Sequence, residues 1–363
     1  MLTGTRAGGN IAAQIFGVGI ESYDIPLGIL GLSPSLRGPS DEDNYGFLLD
    51  SMASDGLIKS RAFSLDLRSI EEPEGTIIFG GIDTGKFVGK LEKIPMLDPS
   101  ETPLGADRYY IYLNGVGATL PDGTAVASDQ FSLPVFLDSG GTYSRLPTEI
   151  FYAIGEAVPG AQYDEQNNLF IVDCKIADLP GSIDFFFNNK VINVPWKDFV
   201  FDIDIDGLCV VGVMELEKDD TEPVFGDTFL RAAYVVYDQD NRNLHLAQAA
   251  NCGTNILSIG SGSNAVPSAT GDCTAAAAVS ATVNLDVTKT RAPTNVMTNS
   301  PKVTNIGGFG PGPAGNGQST TLGGLTKPTG GPNGGNPNGA TSASVGVGSM
   351  VALGLVNLVA FAL

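Results

Sequence analysis

Leu133-Pro134-Val135-Phe136-Leu137-Asp138-Ser139-Gly140-Gly141-Thr142-Tyr143-Ser144-Arg145-Leu146-Pro147 begins as an apolar run and breaks on a carboxylate. Val135-Phe136-Leu137 predicts a buried strand, and Ser139, Gly140 and Gly141 predict a tight turn directly after it. Asp138 is therefore expected at a strand end. Adjacent glycines let backbone or ligand approach closely, and the Ser139 hydroxyl is able to bond neighbouring backbone. Taken alone, the stretch equally fits an ordinary Asp/Ser/Gly turn. The rest of the chain has to decide between the two.

Further stretches fall in a telling order. Upstream come Gln14-Ile15-Phe16-Gly17, Leu27-Gly28-Ile29-Leu30-Gly31-Leu32, Phe63-Ser64-Leu65-Asp66-Leu67 and Gly75-Thr76-Ile77-Ile78-Phe79-Gly80-Gly81-Ile82-Asp83. Downstream come Val224-Phe225-Gly226-Asp227-Thr228-Phe229-Leu230-Arg231 and Tyr234-Val235-Val236-Tyr237-Asp238, closing at Leu246-Ala247-Gln248. Together with Asp138-Ser139-Gly140 these motifs resemble, in register over most of the first 250 residues, the pepsin-like aspartic proteases. The resemblance implies a mostly β, two-lobed acid protease fold with a few short helices. Asp138 matches the family's second catalytic aspartate, Ser139 and Gly140 its loop, and Gly226 the glycine that crosses beneath that loop. Gly28 to Leu32 matches a strand that follows the family's flap. The first catalytic loop and the flap tyrosine have no counterpart, so the resemblance implies that the first lobe is incomplete here. Asp83-Thr84-Gly85 spells the catalytic triplet, but it follows Gly80-Gly81 rather than an apolar strand and is expected to be a structural turn.

Composition sets limits on partners. With 40 acidic and 20 basic residues the formal charge is −20, which disfavours nucleic acid and anionic membrane surfaces as partners. The single histidine, His245, lies between Leu244 and Leu246 with no cysteine cluster near it, so a metal site is not expected, and neither is a cofactor. Peptides or proteins are the substrates that the resemblance implies, with the chain acting as a monomer. Cys174 and Cys209 match the family's disulfide in the second lobe, worth about 3 to 4 kcal/mol in the chain-entropy account. Cys252 and Cys273 are expected to pair with each other. Such pairing favours an oxidising compartment.

The expected organisation is a remnant of the first lobe and its closing strands over 1–100 and a second lobe over 101–250. A disordered stalk rich in Ser, Thr, Gly and Pro follows over 251–338, then a hydrophobic segment over 339–363. The stalk composition buries too little apolar surface to offset its ordering entropy. The uncharged tail after Asn338-Gly339-Ala340 fits a glycosylphosphatidylinositol attachment signal, with Asn338 the expected acceptor and a tail-anchored helix as the alternative. That implies a cell-surface or cell-wall protein. No signal peptide is evident, so the true beginning of the protein is expected to be missing.

In this family two aspartates share a proton, activate a water and protonate the peptide without a covalent intermediate. Asp138 would be one member of that dyad. Gly141 departs from the pattern, because Thr or Ser is usual there and its hydroxyl orients the aspartate. The expected function is an acid endopeptidase, inactive in the chain as written. The alternatives are a non-catalytic surface protein that keeps the fold, and a symmetric dimer in which two Asp138 residues meet.

Overall fold

A computed structural model describes residues 10–11, 13–18, 20–21, 28–34, 45–72, 74–205, 207–216, 220–274 and 360–361. These residues build antiparallel-rich sheets with short helices, in keeping with the expected all-β class.

Alternation of side chains decides how the largest sheet packs. Its order is 360–361, Thr76–Phe79, Ala62–Asp66, Ala233–Asp238, Asn243–Ala249 and Phe87–Pro95. All neighbours are antiparallel except the two-residue edge strand, which runs parallel to Ile78 and Phe79. Phe63, Leu65, Val235, Tyr237, Leu244 and Leu246 point into the main core. Ala62, Tyr234, Val236 and Ala247 point the opposite way, into a second core.

That second core is closed by a segment assigned to the stalk in the sequence. Residues 252–273 fold back over the sheet and bury Ile259, Ala265, Val266 and Ala269 against Phe87, Leu91 and Tyr234. Ile256–Ser258 pairs with Gly81–Asp83, and a Cys252–Cys273 disulfide closes the loop. The boundary expected at residue 250 therefore lies too early. A handful of well-spaced apolar residues, helped by a disulfide and a hydrogen-bonded turn, orders a segment whose average composition resembles a linker. The remainder of the expected stalk, Asn338 and nearly all of the tail lie outside the described residues.

Asp83-Thr84-Gly85 is the turn to which this strap is fastened. The Asp83 carboxylate accepts from the amides of Gly85 at 3.0 Å and Asn255 at 2.7 Å, and Thr84 donates to Asp272 at 2.7 Å. Asp83 is only 2% exposed. The triplet is architectural here.

Other expectations shift by a residue or two. The early helix spans Leu48–Ser54, and the helix after the Asp138 loop spans Thr148–Ala157, with Pro147 rather than Thr148 at its N-cap. Thr148 instead donates its hydroxyl to Glu215. Gly28 to Leu32 is not a strand. Ile29 is 85% exposed and Phe16 77%, so strand-forming residues there have neither a paired neighbour nor a covering layer. The Cys174–Cys209 disulfide forms as the resemblance implied.

Candidate active site

Asp138 sits where two chain segments cross. Leu133–Leu137 is central in a five-stranded sheet, antiparallel to Tyr110–Leu113 on one side and parallel to Val224–Phe225 on the other. The Asp138 amide continues the parallel ladder by donating to Phe225 O at 2.9 Å. The chain then arches over Gly226 and returns as Ser144–Leu146 on the far side of Val224. The loop thus encloses the strand that ends at Gly226.

Close approach explains the glycines. A Cβ on Gly226 would fall 2.3 Å from Gly141 O and 2.6 Å from Tyr143 O, so nothing larger fits under the loop. Immediately after it, the Asp227 amide donates to Gly141 O at 2.7 Å and the Thr228 amide to Thr142 O at 3.2 Å. Buried Ser144 bonds Thr228 through both its amide, at 3.0 Å, and its hydroxyl, at 2.8 Å. Stacked Phe225 and Phe229, with ring centroids 4.4 Å apart and Phe185 edge-on to both, anchor this crossing in the core.

Asp138 itself is half-buried. Its Oδ1 accepts from the Gly140 amide at 2.9 Å, an Asx-type turn that orients the carboxylate. A Cβ on Gly140 would crowd that same oxygen at 3.1 Å. Ser139 is exposed beside it. At Gly141 there is room: an added Cβ would stand 3.9 Å from Asp138 Oδ2, an ordinary contact. The hydroxyl that the family pattern would place here is therefore missing without any steric cause.

A crossing of this kind, with an aspartate at the mouth of the loop and a glycine threaded beneath, occurs in a chain whose residues 11–249 match the model of the eukaryotic aspartyl proteases. The chain belongs to the eukaryotic aspartyl protease family. It is 34% identical over 275 residues to the probable aspartic-type endopeptidase OPSB of Arthroderma benhamiae, covering 70% of this chain and 54% of that protein. Aspartic proteinase 3 of Saccharomyces cerevisiae is 30% identical over 246 residues, covering 66% and 41%. Secreted aspartic protease 9 of Candida albicans is 29% identical over 229 residues, covering 62% and 41%. The chain spans about half the length of these curated relatives.

The structure adds two residues to which the sequence gave no role. Asp227 opens the Asp227–Leu230 helix beneath the loop. Its Oδ1 is sealed from solvent with no hydrogen-bond partner, and its Oδ2 lies 3.6 Å from Arg231 Nη2. Arg231 Nε is sealed and unpartnered as well. Burial pushes the Asp227 carboxyl up to about 6, with Arg231 opposing and the charge of Asp138 adding to the rise. A buried acid in a helix's first turn has no sequence signature that separates it from an exposed one.

Away from the site, His245 packs inside the large sheet rather than near any ligand set, and burial lowers it to about 4. Among the described residues no group of three or more His, Cys, Asp or Glu is arranged to hold a metal ion. No described helix is long and apolar enough to cross a membrane.

Proposed function

We propose that this chain carries one half of an aspartic endopeptidase site, with Asp138 as one of two carboxylates that activate water against a peptide bond. One carboxylate of such a dyad takes a proton from the attacking water while the other protonates the carbonyl oxygen, and the roles reverse as the amine leaves. The observation that carries the reading is the crossing itself: an oriented, half-buried aspartate on a loop braced by the amides of Asp227 and Thr228. Among the described residues the loop faces no second Asp-Thr/Ser-Gly loop, since Asp83 is committed to the strap turn. The second carboxylate is therefore supplied from outside them, and the chain as written does not cleave peptides.

Substrates on this reading are peptides and proteins at acid pH, met at the cell surface by a monomer. Two disulfides support a secretory route, as does the printed name of the secreted Candida relative. Lipid attachment at or near Asn338 would hold the protein there.

The test is to produce the chain alone and fused to the polypeptide encoded ahead of it, then to assay cleavage of a denatured protein at acid pH. Activity in the fused form only, abolished by Asp138→Asn, is expected. Activity from the chain alone that Asp138→Ala removes would overturn the half-site reading. A fused form that binds but never cuts peptide would favour a non-catalytic surface protein.

A further inference from the structure

Asp227 is a buried carboxyl that the reaction proposed above does not use, held against the loop that carries Asp138. Two independent features of its surroundings make it unusual. Its amide is a strut of the loop, 2.7 Å from Gly141 O, whereas its carboxyl has an oxygen sealed away with nothing to bond. The obvious counter-ion, Arg231, sits one turn along at 3.6 Å and leaves its own Nε sealed and unpartnered. A bare carboxylate in such a place lacks the hydrogen bonds that would compensate its burial, and a proton resolves the deficit.

The groups that face Asp227 from each surrounding element are few. Arg231 comes from its own helix, Asp138 from the loop above, and the Tyr237 phenol from the central sheet feels the charge of both aspartates. Arg68, from the connection after the Ala62–Asp66 strand, turns its guanidinium to Asp66 and only its main-chain oxygen toward Arg231. No described cation other than Arg231 contributes to holding Asp227 ionised.

We propose that Asp227 is a positioning residue for Asp138: while it is protonated the loop carries a single negative charge, on Asp138, and when it ionises a second charge beneath the loop opposes the first. This use rests on the peptidase reading above, but the coupling itself does not. At acid pH Asp227 is neutral, and Asp138 is free to be the site's one carboxylate. As pH rises through about 6 the second charge appears and the acid-range state is lost. Asp227 touches no reacting atom in this account. It sets the field in which Asp138 works.

The coupling is read in the chain itself, with aspartate carboxyl carbons labelled and followed by NMR between about pH 3 and pH 8. In Asp138→Asn the proton affinity of Asp227 is expected to fall roughly three- to tenfold, because one contributor to its elevation is gone. Asp66, which titrates in a separate pocket, is the internal control and should not move. Asp227→Asn, nearly the same shape, gives the reciprocal reading at Asp138 if the first variant fails to fold. An Asp227 midpoint indifferent to Asp138→Asn would overturn the inference. In a form that cleaves peptide, Asp227→Asn should extend the alkaline limb of kcat/KM by about one pH unit. A limb that stays put overturns the positioning role. Absence of cleavage in every form overturns the peptidase reading, while the titration still decides the coupling.

Discussion

Serine at position 141 supplies a measurable test of how Asp138 is held. In the native chain one carboxylate oxygen accepts from the Gly140 amide, and the other faces the Cα of Gly141. A Cβ there would meet Asp138 O at 3.7 Å, Asp138 Oδ2 at 3.9 Å and Gly226 Cα at 3.9 Å, so it fits without displacement. Gly141 is also not among the glycines with left-handed backbone, so a side chain imposes no conformational strain. One bond beyond that Cβ, a hydroxyl reaches Oδ2 at hydrogen-bonding distance.

Two contributions are separable. Replacing glycine at a compatible position narrows the unfolded ensemble and stabilises by about 0.4 to 1 kcal/mol, which Gly141→Ala reports alone. A hydrogen bond to an ionised group adds about 1.5 to 3 kcal/mol when buried, and solvent at half-exposed Asp138 reduces that to about 1 kcal/mol. Gly141→Ser should therefore exceed Gly141→Ala by about 1 kcal/mol in urea unfolding at neutral pH. The excess should shrink once carboxylates are protonated. Equal stability of the two variants, or a serine variant less stable than the parent, would refute the account of Asp138 as a carboxylate held on one side only.

Gly226→Ala drives a methyl into Gly141 O at 2.3 Å; a loss of about 3 kcal/mol or more is expected, read as a lowered thermal midpoint or failure to fold. Burial raises Asp66 to about 6 despite its bond to Arg68. Its protonated form therefore stabilises the fold fully below about pH 4, and that stabilisation of about 3 kcal/mol is lost as pH rises through 6. Asp66→Asn should remove this slope from unfolding measured at pH values on either side. His245 works in the opposite sense: buried neutral, with burial its main cause and Lys93 second, it stabilises above about pH 6.5, and that contribution is lost as pH falls through about 4. His245→Leu should flatten the acid limb of the stability curve. Removing the strap disulfide with Cys252→Ser and Cys273→Ser should cost about 3 kcal/mol and open residues 256–269 to proteolysis before the sheet itself unfolds.

Much of the fold is written in short-range patterns. The apolar run into Asp138, the Ser182–Phe187 strand with its three phenylalanines and the Ala233–Asp238 strand all read correctly, because alternation or continuous burial fixes a strand without reference to its partner. What escaped depends on partners far away in sequence. Gly28 to Leu32 has the residues of a strand but no neighbour to pair with. The strap looks like linker until its few apolar residues find the sheet.

Asp138 and Asp83 show why a motif alone cannot name an active site. Each is followed by a hydroxyl residue and a glycine, and each carboxylate accepts from the amide two residues on, Gly140 at 2.9 Å and Gly85 at 3.0 Å. The local turn is the same, so nothing within four residues distinguishes the chemistry of the two aspartates. The difference lies in what else arrives. Asp83 also takes the Asn255 amide of the strap and disappears into the interior, its hydrogen-bonding capacity engaged in structure. Asp138 is approached from below by the threaded Gly226 strand, which fixes its loop yet brings no second donor to its carboxylate. One oxygen stays available on a braced loop. Availability on a rigid support is what a reacting carboxylate requires, and it is produced by the crossing of residues 136–144 with residues 224–228 rather than by the triplet they contain.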